Sequence, residues 1–259
     1  MPVTIKTPEE INIIREGGRL LAQILEKVLA KAQPGVTTEA LDAYAEKLIM
    51  EAGGVPSFKG YQSHDDDPPF PSTLCTSVNE QLVHTPASDY QLKDGDILSV
   101  DIGMRYPADD GFYTDMARTI PIGTISAEAK KLIDVTRESF NKGLAQVKPG
   151  NSIADIGRAV QEYVEAHGFS VVRQLVGHGV GYAVHEDPRV PNFYDAKFGD
   201  VKIKKGMVLA IEPMVNVGDY KIATLEDGWT IIAADGKLCA HHENTLAVTG
   251  DGAEILTQA

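Results

Sequence analysis

The sequence predicts an α+β (α/β) protein made of two related halves, each with two helices followed by several strands. The helix breaker Pro34-Gly35 recurs as Pro149-Gly150, at an offset of 115 residues. Segment 93–101 also resembles segment 204–212, and each passes from a turn through an apolar strand to a carboxylate. Chance recurrence of this order is the alternative, but the matching carboxylates favour duplication. Two such halves are expected to pack about a pseudo-two-fold axis, with a site between them.

Helices are predicted where capping residues precede apolar residues at helical spacing, as Thr7-Pro8 does for the first helix. The four predicted helices span residues 7–34, 37–53, 126–149 and 152–167. Strand-like patterns occupy 75–119, with a turn signal at Asp110-Gly111, and the region after the fourth helix. No linker separates the halves, so we expect one domain covering 1–259, with halves at about 1–122 and 123–259.

Composition indicates an ordinary globular protein with 43% hydrophobic and 24% charged residues. The net charge of −13 and the dispersed basic residues argue against nucleic-acid binding and against an anionic membrane surface. No apolar run approaches the roughly 20 residues that span a bilayer, and residues 1–10 carry no signal-peptide core. Cys75 and Cys239 are too few for a disulfide framework. A cytoplasmic protein is expected.

Asp101 and Asp115 are the first candidate functional residues. Asp101 follows an apolar run and is expected at the end of a buried strand, where a carboxylate requires a partner. Taken singly, each of these acids is better explained as a structural group satisfied by hydrogen bonds than as a ligand.

His178 lies in the glycine-rich segment 177–181, and His185 follows seven residues later. Glycines allow the backbone to approach a ligand closely. A phosphate-binding loop is the alternative, but neither the GxxxxGK[ST] pattern nor a following helix start is present. The segment therefore favours a metal ligand or an acid/base histidine.

Glu212 and Glu243 each lie beside apolar, strand-like sequence. Together with Asp101, Asp115 and His178 they offer oxygen and nitrogen ligands without thiolate, which suits paired Mn, Co, Fe or Zn ions. Four carboxylates balance the charge of two divalent cations, and without metal they would repel one another.

These motifs resemble those of the bacterial type I methionine aminopeptidases, which are metallopeptidases with the pita-bread fold. The resemblance runs from about Ile5 to Leu256 and implies an antiparallel sheet covered by helices in two pseudo-symmetric halves. The matching motifs, in order, are Asn79-Glu80-x-x-x-His84, Gly-His178-Gly-x-Gly-x-x-x-His185-Glu-x-Pro, Ile-Glu212-Pro-Met and Asp227-Gly-Trp229-Thr.

The resemblance implies a ligand set for two divalent metal ions. Asp101 would chelate one ion, and Asp115 and Glu243 would bridge both. His178 and Glu212 would complete the shell of the other ion. A metal-bridging water or hydroxide would then attack the scissile carbonyl.

The resemblance also implies catalytic roles for three residues. Glu212 would carry the proton from the attacking water. His185 would stabilise the substrate carbonyl or the developing oxyanion. His84 would contact the amide of the second residue and assist the leaving amine; by itself it could equally be a surface histidine.

An apolar methionine pocket is implied as well, with Tyr61, Phe70, Cys75 and Trp229 as the matching residues and Phe58 at the rim. A thioether suits such a lining because it is polarizable and favours aromatic contacts. Cys75 is interpreted as a packing residue, since nothing in the sequence would activate its thiol.

The sequence departs from the family pattern in several places. Segments 62–71 and 102–114 are longer than usual, with 107–111 as the expected hairpin tip or bulge. The acidic run 64–67 is interpreted as a solvated loop tip, with an extra metal site as the weaker alternative. Val184 and Asn244 stand where many members have Phe and His, which leaves substrate preference open.

The implied activity is removal of the initiator methionine from nascent proteins and peptides. The protein is expected to be a cytoplasmic monomer that binds neither nucleic acid nor membranes. Two alternatives remain. The first is another pita-bread peptidase such as an Xaa-Pro aminopeptidase or dipeptidase, although these usually carry an additional N-terminal domain. The second is a non-catalytic binding protein on this fold, although such proteins typically lose ligands.

Overall fold

Two pairs of helices occur in the computed structural model, which describes residues 3–62 and 68–259. The helices are α1 Pro8–Lys31, α2 Thr38–Glu51, α3 Ala127–Leu144 and α4 Ile153–Ala166, with a short 3-10 helix at Ala196–Phe198. None of the helices in the described ranges is both long and apolar enough to cross a membrane.

Fifteen strands connect and follow these helices in the described residues. They are β1 Val55–Pro56, β2 Leu74–Val78, β3 Gln81–Val83, β4 Ile97–Tyr106, β5 Phe112–Pro121, β6 Ser170–Val171, β7 Gly177–Gly179, β8 Glu186–Val190, β9 Val208–Ile211, β10 Met214–Asn216, β11 Ile222–Thr224, β12 Ile231–Ala233, β13 Cys239–His241, β14 Glu243–Val248 and β15 Ala253–Ile255.

The helix starts follow the capping chemistry of the sequence. Thr7 accepts a hydrogen bond from the Glu10 amide, and the Glu10 carboxylate accepts one from the Thr7 amide at 2.7 Å. The predicted end of the third helix at Pro149 was wrong, because α3 ends at Leu144. The following segment turns so that Val147 is fully buried in the core beside Phe140, and a residue before proline is disfavoured in helical conformation.

The main sheet carries the symmetry that the repeat predicted. Its strand order is β1-β4-β5-β14-β9-β7-β8, with β2 and β15 paired to β4 and β14, and each pair is antiparallel. The hairpin β4-β5 from the first half lies against β14-β9 from the second half. Helices α1 and α2 cover one part of this sheet and α3 and α4 the other. This is the antiparallel, helix-covered and duplicated architecture that was expected.

Alternation along β4 decides which face carries the functional side chains. Leu98, Val100 and Ile102 pack into the core formed with α1 and α2, so Asp101 points to the opposite face. The expectation that Asp101 ends its strand was wrong, because β4 continues to Tyr106 and turns at residues 107–111 into β5. The acidic run 64–67, interpreted as a solvated loop tip, lies outside the described residues.

Candidate active site

One cavity of about 130 Å³ gathers the side chains that the sequence singled out. It lies on the face of the sheet opposite the helices. Its lining consists of Phe58, Tyr61, Phe70, Cys75, His84, Asp101, Asp115, His178, His185, Glu212, Trp229 and Glu243. Residues that are far apart in the chain therefore meet at a single place, with the acids and histidines beside an aromatic wall.

Four strands, and the residue that directly follows a fifth, each supply one polar side chain to the floor of this cavity. Asp101 and Asp115 come from β4 and β5, where Gly103 opposes Asp115. Glu243 begins β14, His178 is the central residue of β7, and Glu212 directly follows β9. Because β4, β5, β14, β9 and β7 are consecutive in the sheet, the backbone hydrogen bonds themselves bring these groups together.

His178 is oriented to use its Nε2 atom. Its Nδ1 atom lies 2.9 Å from the carbonyl oxygen of Gly179, and a carbonyl only accepts, so Nδ1 carries the proton. The lone pair of Nε2 then faces Asp115 Oδ2 at 3.5 Å and Glu212 Oε1 at 3.6 Å. A histidine whose second nitrogen donates to a backbone carbonyl is the usual arrangement of a metal ligand.

The four acids carry more negative charge than the surrounding protein compensates. Burial raises the pKa of Asp101 to about 7 and that of Glu212 to about 8. Burial also raises the pKa of Asp115, and that of Glu243 to well above its usual range. Asp101 Oδ1 is buried without a hydrogen-bond partner. Acids in this state require cations to remain ionised at neutral pH.

The donor set fits a divalent metal ion. Ligand atoms of Asp115, His178 and Glu243 all lie within 4.8 Å of one another, and all three residues are buried. Asp101 and Glu212 line the same cavity with further carboxylate oxygens. Oxygen and imidazole ligands without thiolate are typical of Mn, Co, Fe and catalytic Zn sites.

Three residues behind the acids were missed by the sequence analysis. The Thr245 hydroxyl accepts from the Asp115 amide and lies 2.9 Å from Asp115 Oδ1. Arg118 donates to the Glu243 carbonyl and, at 2.8 Å, to Asn244 Oδ1. Asn244 thus supports Arg118 from outside the cavity. Nothing in the spacing of Thr245 or Arg118 distinguishes either from an ordinary strand residue.

His241 is the third missed residue. It is 1% exposed, and its Nε2 atom lies 3.4 Å from Glu212 Oε2 and 4.0 Å from Glu243 Oε2. The available signal was its position two residues before Glu243, since residues i and i+2 of an extended chain point the same way.

Two further histidines border the cavity in neutral form. Burial lowers the pKa of His185 to about 3 and that of His84 to about 4. His185 Nδ1 lies 3.0 Å from the Tyr61 hydroxyl, and its ring lies edge-on to that of His178 at 4.5 Å. His84 has a φ of 58°, a conformation that is uncommon outside glycine and that clusters at functional sites.

The apolar wall is assembled by backbone and ring contacts. Phe70 and Trp229 meet edge to face at 5.2 Å. The Phe70 amide donates to the Tyr61 carbonyl at 2.8 Å, so these two residues stay adjacent although the segment between them is long. Burial raises the pKa of the Cys75 thiol well above its usual range, so Cys75 packs as a neutral apolar group.

Comparison with known proteins identifies relatives of this chain and of its fold. The model of metallopeptidase family M24 matches residues 12–250. The methionine aminopeptidase of Clostridium perfringens is 50% identical over 98% of both chains. The crystal structure of methionine aminopeptidase from Thermotoga maritima superposes with a TM-score of 0.93 at 40% identity, covering 100% of both chains. The prolidase of Pyrococcus horikoshii shares the fold at a TM-score of 0.77 and 23% identity, but this chain covers 63% of it.

The class defined by this fold and by this acid-rich cavity is a metal-dependent hydrolase, and the chain belongs to metallopeptidase family M24. Within that family it groups with the methionine aminopeptidases, which match it over nearly its whole length. Membership implies the use of a divalent metal.

Proposed function

We propose that this protein removes the N-terminal methionine from peptides and nascent proteins, using two divalent metal ions. The observation that carries the proposal is the cavity in which four buried carboxylates and an oriented imidazole adjoin an aromatic wall. The full-length similarity to methionine aminopeptidases supports the same activity.

The proposed metal ligands are Asp101, Asp115, His178, Glu212 and Glu243. Two divalent cations match the charge of four carboxylates, and this match supports two ions rather than one. The ligand types are compatible with Co, Mn, Fe or Zn. When bound, such ions polarise the scissile carbonyl and supply a nucleophilic water at neutral pH.

Glu212 is the proposed proton carrier. Its Oε1 atom faces His178 and its Oε2 atom faces His241, so the carboxylate lies between the two imidazoles. Burial raises its pKa to about 8, a value that bound cations would lower. A carboxylate tuned towards neutrality can accept a proton from the attacking water and deliver it to the leaving amine.

His185 and His84 are the proposed substrate contacts. Both are neutral at physiological pH because burial lowers their pKa values, so each can donate one N–H without adding charge. We assign His185, held by Tyr61, to the carbonyl oxygen of the scissile bond, where a fixed donor stabilises developing negative charge. His84 is assigned to the amide of the second residue and to the leaving amine.

The proposed methionine pocket is formed by Tyr61, Phe70, Cys75 and Trp229, with Phe58 at its rim. The Phe70–Trp229 contact supports a rigid aromatic wall. A thioether gains contact energy beside aromatic rings, whereas a charged side chain would lose its hydration there.

The remaining proposals concern the whole chain. We propose one catalytic domain covering 1–259, with halves at about 1–122 and 123–259, which the pairing of β5 with β14 supports. The buried free thiols Cys75 and Cys239 support a reducing, cytoplasmic location. The net charge of −13 supports the absence of nucleic-acid binding.

We also propose that the protein acts as a monomer on peptide N-termini.

Peptide hydrolysis tests the proposal against its alternatives. With added Mn or Co, Met-Ala-Ser should be cleaved and Ala-Pro-Ala should not. Preferential cleavage of Ala-Pro-Ala would identify a proline-specific peptidase instead. His178→Ala should abolish turnover, whereas His167→Ala, on the distant C-cap of α4, should leave it intact. Unchanged turnover by H178A would mean that this cavity is not catalytic.

A further inference from the structure

We propose that His241 is a positioning residue for Glu212 and that it fixes this carboxylate through its Nε2 atom. The inference rests on the proposed function, because Glu212 is there a metal ligand and a proton carrier. It concerns a side chain to which neither the sequence motifs nor the resemblance assigned a role.

The first observation is an unpaired ring at full burial. His241 is 1% exposed, and neither Nδ1 nor Nε2 has a hydrogen-bond partner. Leaving a buried polar group unsatisfied costs about 1–3 kcal/mol, so such a ring in a native protein requires a partner that it can reach.

The second observation identifies that partner. Nε2 lies 3.4 Å from Glu212 Oε2, closer than the 4.0 Å to Glu243 Oε2. This separation is only slightly longer than an N–H···O hydrogen bond, so Glu212 is the carboxylate nearest to a hydrogen bond with Nε2. An N–H on Nε2 then has a carboxylate acceptor, and a hydrogen bond to a charged acceptor is among the stronger ones.

The third observation is the rigidity of the element that carries the ring. The His241 amide donates to Thr119 Oγ1 at 2.9 Å, and the same hydroxyl donates to the His241 carbonyl at 2.8 Å. In addition, His241 pairs with Met214 in β10, which begins two residues after Glu212. A donor fixed in this way can orient a flexible glutamate.

Glu212 thus has one carboxylate oxygen facing each of two imidazoles. Oε1 faces His178 and Oε2 faces His241. Residues that hydrogen-bond to a metal ligand orient it, and losing them typically weakens metal affinity about 10–100-fold. His241 therefore acts on the metal ions through Glu212 rather than by binding them itself.

The neighbouring His242 offers a matched control. It is the next residue in the chain, and its ring packs against Phe140 at 5.2 Å. Replacing either histidine removes one partly or fully buried imidazole, but only His241 faces Glu212.

The experiment measures Co²⁺ affinity and the visible Co²⁺ spectrum of the metal-free protein, followed by kcat and KM for Met-Ala-Ser. We expect His241→Leu to weaken Co²⁺ binding about 10-fold or more and to change the spectrum. We also expect the fold-decrease in kcat of His241→Leu to exceed the fold-change in its KM. H241Q, which keeps a side-chain N–H donor, should recover most of the affinity, and H242L should match the parent protein.

A double-mutant cycle separates positioning from direct ligation. If His241 acts through Glu212, H241L should weaken Co²⁺ binding little further in an E212A background. Independent losses in that cycle would overturn the proposal, as would parental affinity and spectrum in H241L. If H241L does not fold, H241M replaces it. A folded H241M with parental Co²⁺ affinity would likewise overturn the proposal. If the parent protein does not cleave Met-Ala-Ser, the proposed function is refuted. The Co²⁺ affinities of the variants would still test whether His241 positions Glu212.

Discussion

At the scale of single residues, the cavity assigns different environments to chemically similar acids. Asp115 is held by the Thr245 hydroxyl, and the carbonyl of Glu243 is held by Arg118. Glu212, in contrast, directly follows β9, and its carboxylate oxygens face the imidazoles of His241 and His178 at 3.4 and 3.6 Å. Asp115, whose carboxylate contacts the Thr245 hydroxyl, and Glu243, whose backbone is fixed by the Arg118 guanidinium, suit fixed metal ligation, and Glu212 suits proton transfer.

Glu212→Gln should therefore lower kcat for Met-Ala-Ser about 10²–10⁴-fold, the usual contribution of a general acid–base group. An amide keeps the shape of the side chain but cannot carry the proton. The assay is steady-state hydrolysis on protein whose metal content has been measured. The matched control is E226Q at an exposed glutamate. A fully metal-loaded E212Q with parental kcat would contradict the assignment.

Trp229→Ala should reduce selectivity for methionine. Its ring packs edge to face against Phe70 in the aromatic wall, and burying a methionine side chain contributes about 1.5–3 kcal/mol. We expect kcat/KM for Met-Ala-Ser to fall about 10–100-fold and the preference over Leu-Ala-Ser to narrow. Y194A, at an aromatic residue that is 45% exposed, should not change this ratio. If W229A keeps the parental preference for Met-Ala-Ser over Leu-Ala-Ser, the methionine side chain does not bind against Trp229.

The predictability of these residues depended on how unusual their sequence contexts were. Asp101 and Glu212 stood out because a carboxylate follows a run of strand-forming apolar residues, and His178 because glycines surround it. His241 and Arg118 lie in sequence that any polar strand edge could carry. Their importance arises from cross-strand neighbours, which a single sequence does not specify.

At the scale of elements, the segment that bears His185 depends on the N-terminal residues that precede α1. Glu186 accepts hydrogen bonds from the amides of Tyr182 and Ala183. Its other oxygen accepts from Lys6 Nζ at 2.7 Å, and both side chains are at most 2% exposed. This pair therefore joins the start of the chain to the loop that delivers His185.

Lys6→Met should destabilise the protein by about 3–5 kcal/mol, because it leaves the Glu186 charge buried without its cation. It should also lower kcat, since the His185 loop loses its anchor. Denaturant unfolding and peptide hydrolysis measure the two effects. The control is K47M, whose i,i+4 pair with Glu51 is exposed and contributes less than about 0.5 kcal/mol. Equal stability of K6M and K47M would contradict this account.

Elements were predictable from sequence where chemistry is local. Helix starts followed from Thr7 and the other capping residues, and the duplicated strands followed from an internal match. The end of α3 and the continuation of β4 beyond Asp101 were not predictable, because each depends on burial against distant residues. Val147 leaves the helix to fill the core, and Ile102 extends the strand by packing beneath α1 and α2.

At the scale of the whole molecule, the cavity joins the two halves. Asp101 and Asp115 come from the first half, and His178, Glu212 and Glu243 come from the second. Without metal, this arrangement concentrates buried acids of one sign at the contact between β5 and β14. Metal ions bound there would hold the halves together. We therefore expect the free energy of unfolding of the whole protein to increase with bound metal.

Removal of metal should make the stability of the protein fall as pH rises from about 6.5 to 8. The folded-state pKa values of Asp101 and Glu212 are raised to about 7 and about 8, above their unfolded values near 4. The native state then holds more protons than the unfolded state, and the free energy of unfolding falls by about 1.4 kcal/mol per pH unit for each excess proton. His84 and His185, with lowered pKa values, oppose this trend only below about pH 6.5.

Thermal unfolding of the chelated protein between pH 6.5 and 8, with and without saturating Mn²⁺, measures this effect. The metal-free Tm should decline across the window, and Mn²⁺ should remove the decline because bound cations stabilise the ionised acids. Asp101→Asn deletes one buried charge, so at pH 8 the metal-free variant should have a higher Tm than the metal-free parent. Adding Mn²⁺ should raise the Tm of the variant less than that of the parent. A metal-free Tm that is flat or rises with pH would show that these acids are compensated by the protein itself, and the case for a metal centre would lose its electrostatic basis.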